Sequence, residues 1–213
     1  MEDKLNHILN PEKGISVLYG EGGTGKTCFM LVKSFEILRQ GKRVLFIDTE
    51  NSFSLERFIQ IAGKDYVKYL DNLIYIKVKS FNGQHRQILH LNEDDIKSIS
   101  LIVMDSISNF FRILLSKKKD LARAMMIKQM RHLKILARKT PVLLTNQVYY
   151  NINDKKINMV GEDIFKNFCN IQIRLVNERG FRRLIIEKSI KKEILFNIIG
   201  SGIEIYNDKT KQE

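Results

Sequence analysis

The sequence predicts an α/β fold: a mainly parallel sheet flanked by helices, with an antiparallel C-terminal extension. Three observations predict it. Gly20-Glu21-Gly22-Gly23-Thr24-Gly25-Lys26-Thr27 is a complete G-x-x-x-x-G-K-[ST] phosphate loop, set between a strand-like run and a helix-like one. Two apolar runs, Arg43 to Asp48 and Ser100 to Ser106, each reach a single acid at their C-terminal end, as buried parallel strands beside a site do. Beyond residue 150 the pattern changes to short β-rich runs separated by turns.

Taken in order, residues 1–13 are a polar lead-in in which Pro11 breaks any helix, and Ile15 to Tyr19 form the first buried strand. The loop glycines let backbone N–H groups turn inward, and a helix from Cys28 through Leu38 points its positive end at an anion. Lys26 is then expected on the β- and γ-phosphates of ATP and the Thr27 hydroxyl on Mg²⁺. Cys28, next to this nucleotide site, reads as a small buried apolar residue. Gln40-Gly41-Lys42 ends the helix, and Arg43 to Asp48 is the second strand.

Ser54 can cap a helix over Leu55 to Ala62 that stops at Gly63, followed by a strand at Leu73 to Val78 and a short helix at Gln84 to Leu91. Asp105, ending the Ser100 run, supplies the second half of a phosphate-loop NTPase site, a carboxylate for the Mg²⁺ shell. Leu121 to Arg138 is amphipathic, and its methionines Met125, Met126 and Met130 read as core. Pro141 to Thr145 is a further buried strand, closing on Asn146-Gln147. Ile171 to Val176 and Phe181 to Lys188 form a hairpin around Asn177 to Gly180, with short strands at Ile194 to Ile199 and Ile203 to Tyr206.

At 213 residues the chain suits one core domain over 1–213, with 208–213 expected as a disordered tail. No apolar run approaches the roughly 18–20 residues that span a bilayer, and Met1-Glu2-Asp3-Lys4 has no signal-peptide shape. Cys28 and Cys169 are too few for a disulfide framework, so a cytoplasmic protein without a membrane partner is expected. A net charge of +12 suits a polyanion such as DNA, although an AT-rich genome also enriches Lys, Ile and Asn.

The phosphate loop together with Phe46-Ile47-Asp48-Thr49-Glu50, Phe53-Ser54-Leu55-Glu56-Arg57, Leu101 to Ile107, Thr145-Asn146-Gln147-Val148 and Gly202-Ile203-Glu204 resembles the RecA/RadA recombinase superfamily. Within it the likeness is to the archaeal RadA paralogues that consist of the ATPase core alone, and it runs from about residue 14 to residue 206. The resemblance implies a RecA-type core. It places Glu50 as the carboxylate orienting the attacking water, Gln147 as the γ-phosphate sensor, and Arg57 as the arginine stacked on adenine. The bland alternatives are that Glu50 caps the next segment and that Arg57 is a solvated helix residue. Departures matter too: Asn51 stands where a glycine is usual, no Phe-x-x-Ala tether precedes residue 14, and Gln147 to Gly161 is short. No proline-containing cap appears near Ser189 to Glu193.

The loops after Asp105 and Gln147 face one side of such a fold. Arg112 and Lys117-Lys118-Lys119 follow the first, Lys155-Lys156 the second, while Tyr149 and Tyr150 offer stacking faces. Solvated lysine-rich loops are the competing reading. Three functions fit: a DNA-binding accessory of a RadA-type recombinase with slow ATP hydrolysis, a full strand-exchange recombinase, or a KaiC-like regulatory ATPase without a DNA role. A homo-oligomer stays open.

Overall fold

The computed structural model describes residues 14–151, 156–188 and 192–206. Its main sheet has nine strands in the order β11-β10-β9-β8-β1-β5-β4-β2-β3. In chain order these are β1 (Ile15–Gly20), β2 (Arg43–Asp48), β3 (Leu73–Lys77), β4 (Ile99–Asp105), β5 (Val142–Asn146), β8 (Ile171–Glu178), β9 (Phe181–Lys188), β10 (Lys192–Ile199) and β11 (Gly202–Ile205). Strands β8, β1, β5, β4, β2 and β3 run parallel, and β9, β10 and β11 add antiparallel pairs at the β8 side. A separate hairpin, β6 (Val148–Asn151) with β7 (Lys156–Met159), follows β5 directly.

Burial on both faces dictates the central strands. Along β1, Ile15, Val17 and Tyr19 enter one core while Leu18 enters the other, as a period of two requires. Helices α1 (Lys26–Leu38), α2 (Leu55–Ala62) and α3 (Val67–Leu70) cover one face. The other carries α4 (Phe81–His90), α5 (Asn109–Leu115), α6 (Lys119–Leu136) and α7 (Glu162–Phe168). Met126 and Met130 are fully buried under α6, so the methionine stripe is core.

Most expected elements stand, with shifted ends. Helix α4 starts a turn earlier than expected because Ser80 caps it, accepting from the Gly83 amide at 3.1 Å. Helix α6 begins at Lys119, with Asp120 in a first turn that favours an acid. Helices α3, α5 and α7 and the β6–β7 hairpin were not expected; each is short, and its apolar pattern spans too few residues to show a period. Residues 1–13, 208–213 and Lys155 lie outside the described residues, as do Ser189 to Lys191. Among the described residues no helix is long and apolar enough to cross a membrane.

Registration places the site. Asp48 pairs Asp105 across β2 and β4, Tyr19 pairs Asn146 across β1 and β5, and Gly20 pairs Leu175 across β1 and β8. The chain therefore delivers the phosphate loop, two acids and an amide pair to one edge of the sheet.

Candidate functional site

The loop between β1 and α1 has the backbone its glycines were expected to allow. Gly25 caps α1 at φ 101 without a side-chain cap, and a Cβ there would come within 2.7 Å of Ile198 Cδ1. A Cβ on Gly20 would overlap the Leu175 carbonyl oxygen. Only glycine fits either place. With no side-chain acceptor, the first-turn amides of α1 remain donors toward the loop's hollow, which suits an anion.

Lys26 Nζ donates to the Gly20 and Glu21 carbonyls, each at 2.8 Å. Burial holds its pKa below the ordinary lysine value, against the opposing pull of Glu50, Asp105 and Glu21. Thr27 Oγ1 donates to Asp105 Oδ2 at 2.7 Å. Ser52 Oγ donates to the same oxygen at 2.8 Å, and the Thr145 hydroxyl donates to Oδ1. Burial raises the Asp105 pKa, and those three hydrogen bonds counter it.

Glu50 lies beside this cluster of hydroxyls on Asp105. Its Oε1 accepts from Ser106 Oγ at 2.5 Å and from Gln147 Nε2 at 2.7 Å. The Gln147 amide N–H donates to Ser108 Oγ at 2.9 Å, and the Val160 N–H donates to the Gln147 carbonyl at 3.0 Å. Thus Glu50 and Gln147, far apart in sequence, meet where the β6–β7 hairpin begins. Gly20, Glu21, Gly22, Lys26, Glu50, Arg112, Gln147, Tyr149 and Tyr150 share one cavity of about 380 Å³. Thr24 turns inward instead and donates to the Glu21 carbonyl at 2.8 Å, bracing the loop. Gly22 and Gly23 have open space above them.

Arg57 is committed along its edge. It donates to the carbonyls of Ile199 (2.6 Å), Gly200 (2.9 Å) and Gly202 (3.2 Å), and to Gln60 Oε1 (2.8 Å). A contact of 3.3 Å joins it to Cys28 Sγ, which is buried as expected. The arginine ties α2 to the β10–β11 turn, so any role toward adenine falls to its planar faces.

The expected basic face is partly assembled. Arg112 on α5 and Tyr149 on β6 line both the mouth cavity and an adjoining groove of about 660 Å³ that also takes in Lys119. Lys117 and Lys118 are exposed on the turn joining α5 to α6, and Tyr150 is 60% exposed. Lys156 opens β7 opposite Asn151.

A Rad51 family profile matches residues 5–205. The chain belongs to the Rad51 family. It is 30% identical over 216 residues to "DNA repair and recombination protein RadB" of Methanococcus maripaludis, covering 97% of this chain and 98% of that one. The protein of the same name from Methanocaldococcus jannaschii is 33% identical over 212 residues, covering 94% and 99%. The solved structure described as "Crystal structure of the RadB recombinase" superposes with a TM-score of 0.75 at 26% identity, covering 95% of this chain and 96% of that one. The architecture is accordingly that of a RecA-type core.

For this Rad51-family chain, sequence reasoning missed Ser52, Ser106, Ser108 and Thr145, which hydrogen-bond the candidate acids and Gln147. Small hydroxyl residues carry no pattern of their own. The one usable signal was position, since each lies within a few residues of a strand tip.

Proposed function

We propose that this chain is a RadB-type DNA repair and recombination protein that binds ATP with Mg²⁺, binds DNA, and assists a RadA-type recombinase in the cytoplasm. The observation that carries it is the Glu50–Gln147 pair at 2.7 Å in a mouth that Gly20, Gly22 and Lys26 also line, with the Thr27–Asp105 pair, at 2.7 Å, joined to the Glu50 loop through Ser52.

The residues present fit the nucleotide and its metal. The uncapped α1 terminus, the loop amides and Lys26 suit phosphates. Thr27 and Asp105 offer the hard oxygens that Mg²⁺ prefers. When bound, Mg²⁺ supplies charge neutralisation on the phosphates. Glu50 is the group to orient and deprotonate an attacking water, with Ser106 and Gln147 holding its Oε1. Gln147, tied through backbone to Val160 beyond the hairpin, can pass the presence of a γ-phosphate to Tyr149 and Tyr150. Arg112 and Lys117 to Lys119 are the cations for DNA phosphates.

ATP acts here mainly as a conformational ligand. Fast phosphoryl transfer needs further cations on the γ-phosphate. Lys26 is the described cation lining this mouth from the loop side, with Arg112 opposite. The test is steady-state ATPase with and without single-stranded DNA, run beside a strand-exchange assay. Slow turnover, modestly stimulated, and no exchange by the protein alone is expected. Vigorous DNA-stimulated turnover with exchange products would replace the accessory role with a full recombinase, and Lys192, or Lys191 outside the described residues, would become the candidate cation acting on a neighbouring subunit.

A further inference from the structure

We infer that Ser52 is a positioning residue for the metal half of the site, delivered there by a loop that Asp48 folds. The inference rests on reading the mouth as an ATP and Mg²⁺ site. Asp48 ends β2, is fully buried, and pairs Asp105 in register. An acid at a strand tip beside a site is ordinarily read as facing the ligand. This one does not. Its Oδ1 accepts from the Glu50 amide at 3.0 Å and the Ser52 amide at 3.1 Å, and its Oδ2 accepts from the Phe53 amide at 3.0 Å and the Tyr75 hydroxyl at 3.0 Å. One carboxylate thus gathers amides of residues 50, 52 and 53, and Asn51 makes the turn at φ 57. Asparagine is among the few non-glycine residues that adopt this conformation readily, so the loop keeps the turn a glycine would give.

Both ends of the loop are fixed. The Phe53 ring meets those of Phe46 and Tyr75 at 5.3 and 5.2 Å between centroids. Burial, with the Asp48 bond, pushes the Tyr75 phenol up to about 12, so it stays a donor at neutral pH. With the backbone held, alternate side chains serve opposite sides of the mouth. Glu50 reaches Ser106 and Gln147, while the Ser52 hydroxyl reaches Asp105 Oδ2, the oxygen Thr27 also meets. Thr27 comes from α1 and Thr145 from β5, both parts of the packed core. Ser52 alone of the three hydroxyls on Asp105 comes from a loop, and its position depends on Asp48. By fixing the orientation of the Asp105 carboxylate, it fixes the oxygen offered to the ion. Groups that orient a metal-site carboxylate typically contribute about 10–100-fold to metal affinity.

The experiment compares ATP affinity, by calorimetric titration, in excess Mg²⁺ and in a chelator, with melting followed alongside. The wild-type chain should bind ATP more tightly with the metal. Ser52→Ala should lose about tenfold of that metal-linked gain while its affinity for metal-free ATP stays at the wild-type value. Ser52→Thr, which restores the hydroxyl, should recover the gain. Asp48→Asn, which leaves Ser52 in the chain but removes one acceptor oxygen from the loop, should lose it. A Ser52→Ala variant with the full wild-type gain overturns the inference and leaves the ATP site standing. So does an equal loss with and without metal, which would make Ser52 a packing residue. A wild-type chain that binds ATP in neither buffer removes the ATP reading itself, and the inference with it.

Discussion

At the scale of the residue, the site is governed by what burial does to charge. Lys26 is drawn out of water by the fold, yet its ammonium is satisfied by the Gly20 and Glu21 carbonyls, so the loop holds the cation where a phosphate would need it. Replacing it leaves no hydrophobic hole, because the ammonium sits at the loop, on the Gly20 and Glu21 carbonyls, and lines the mouth. Lys26→Ala should therefore melt close to the wild type. It should lose at least about tenfold in ATP·Mg²⁺ affinity, since a hydrogen bond to a charged group is worth roughly 1.5–3 kcal/mol. Calorimetric titration checks it, and unchanged affinity in a folded variant would remove the phosphate-loop assignment.

At the scale of the element, the turn from α5 to α6 carries the exposed run Lys117-Lys118-Lys119 beside a groove that Arg112 and Tyr149 also line. Elsewhere on that groove the cations are already answered, Arg123 by Asp163 and Lys166 by Glu162. Uncompensated charge is what releases counterions. A Lys117/Lys118/Lys119 triple-alanine variant should flatten the log–log salt dependence of DNA binding by about 0.7–0.9 for each DNA phosphate it no longer neutralises. An unchanged slope in a gel-shift series would move the DNA footprint off this turn. Much of this was legible from the chain alone. The phosphate loop, the acid-tipped strands and the helix capped by Ser54 announce themselves through fixed spacing and long apolar runs. The tie that Arg57 makes to the β10–β11 turn was not legible, because its partners are carbonyls of residues 199, 200 and 202, contributed by backbone that any side chain supplies. The β6–β7 hairpin was hidden for another reason: its strands have four residues each and mix polar with apolar side chains.

At the scale of the whole molecule, β1 lies between β5 and β8, and the final residue of β1 pairs Leu175 on the latter. The strand that launches the phosphate loop is made well before its second neighbour, which follows it by about 150 residues. Until residues 171–178 are in place, β1 is a bare sheet edge and the carbonyl beneath Gly20 is missing. A chain still being made lacks one of the two strands that flank β1, and ATP should stabilise it less than the finished chain. ATP·Mg²⁺ should protect the chain ending at residue 206 against protease and leave a chain ending at residue 168 as vulnerable as without nucleotide, and protection of the shorter one would show that the site closes without β8 to β11.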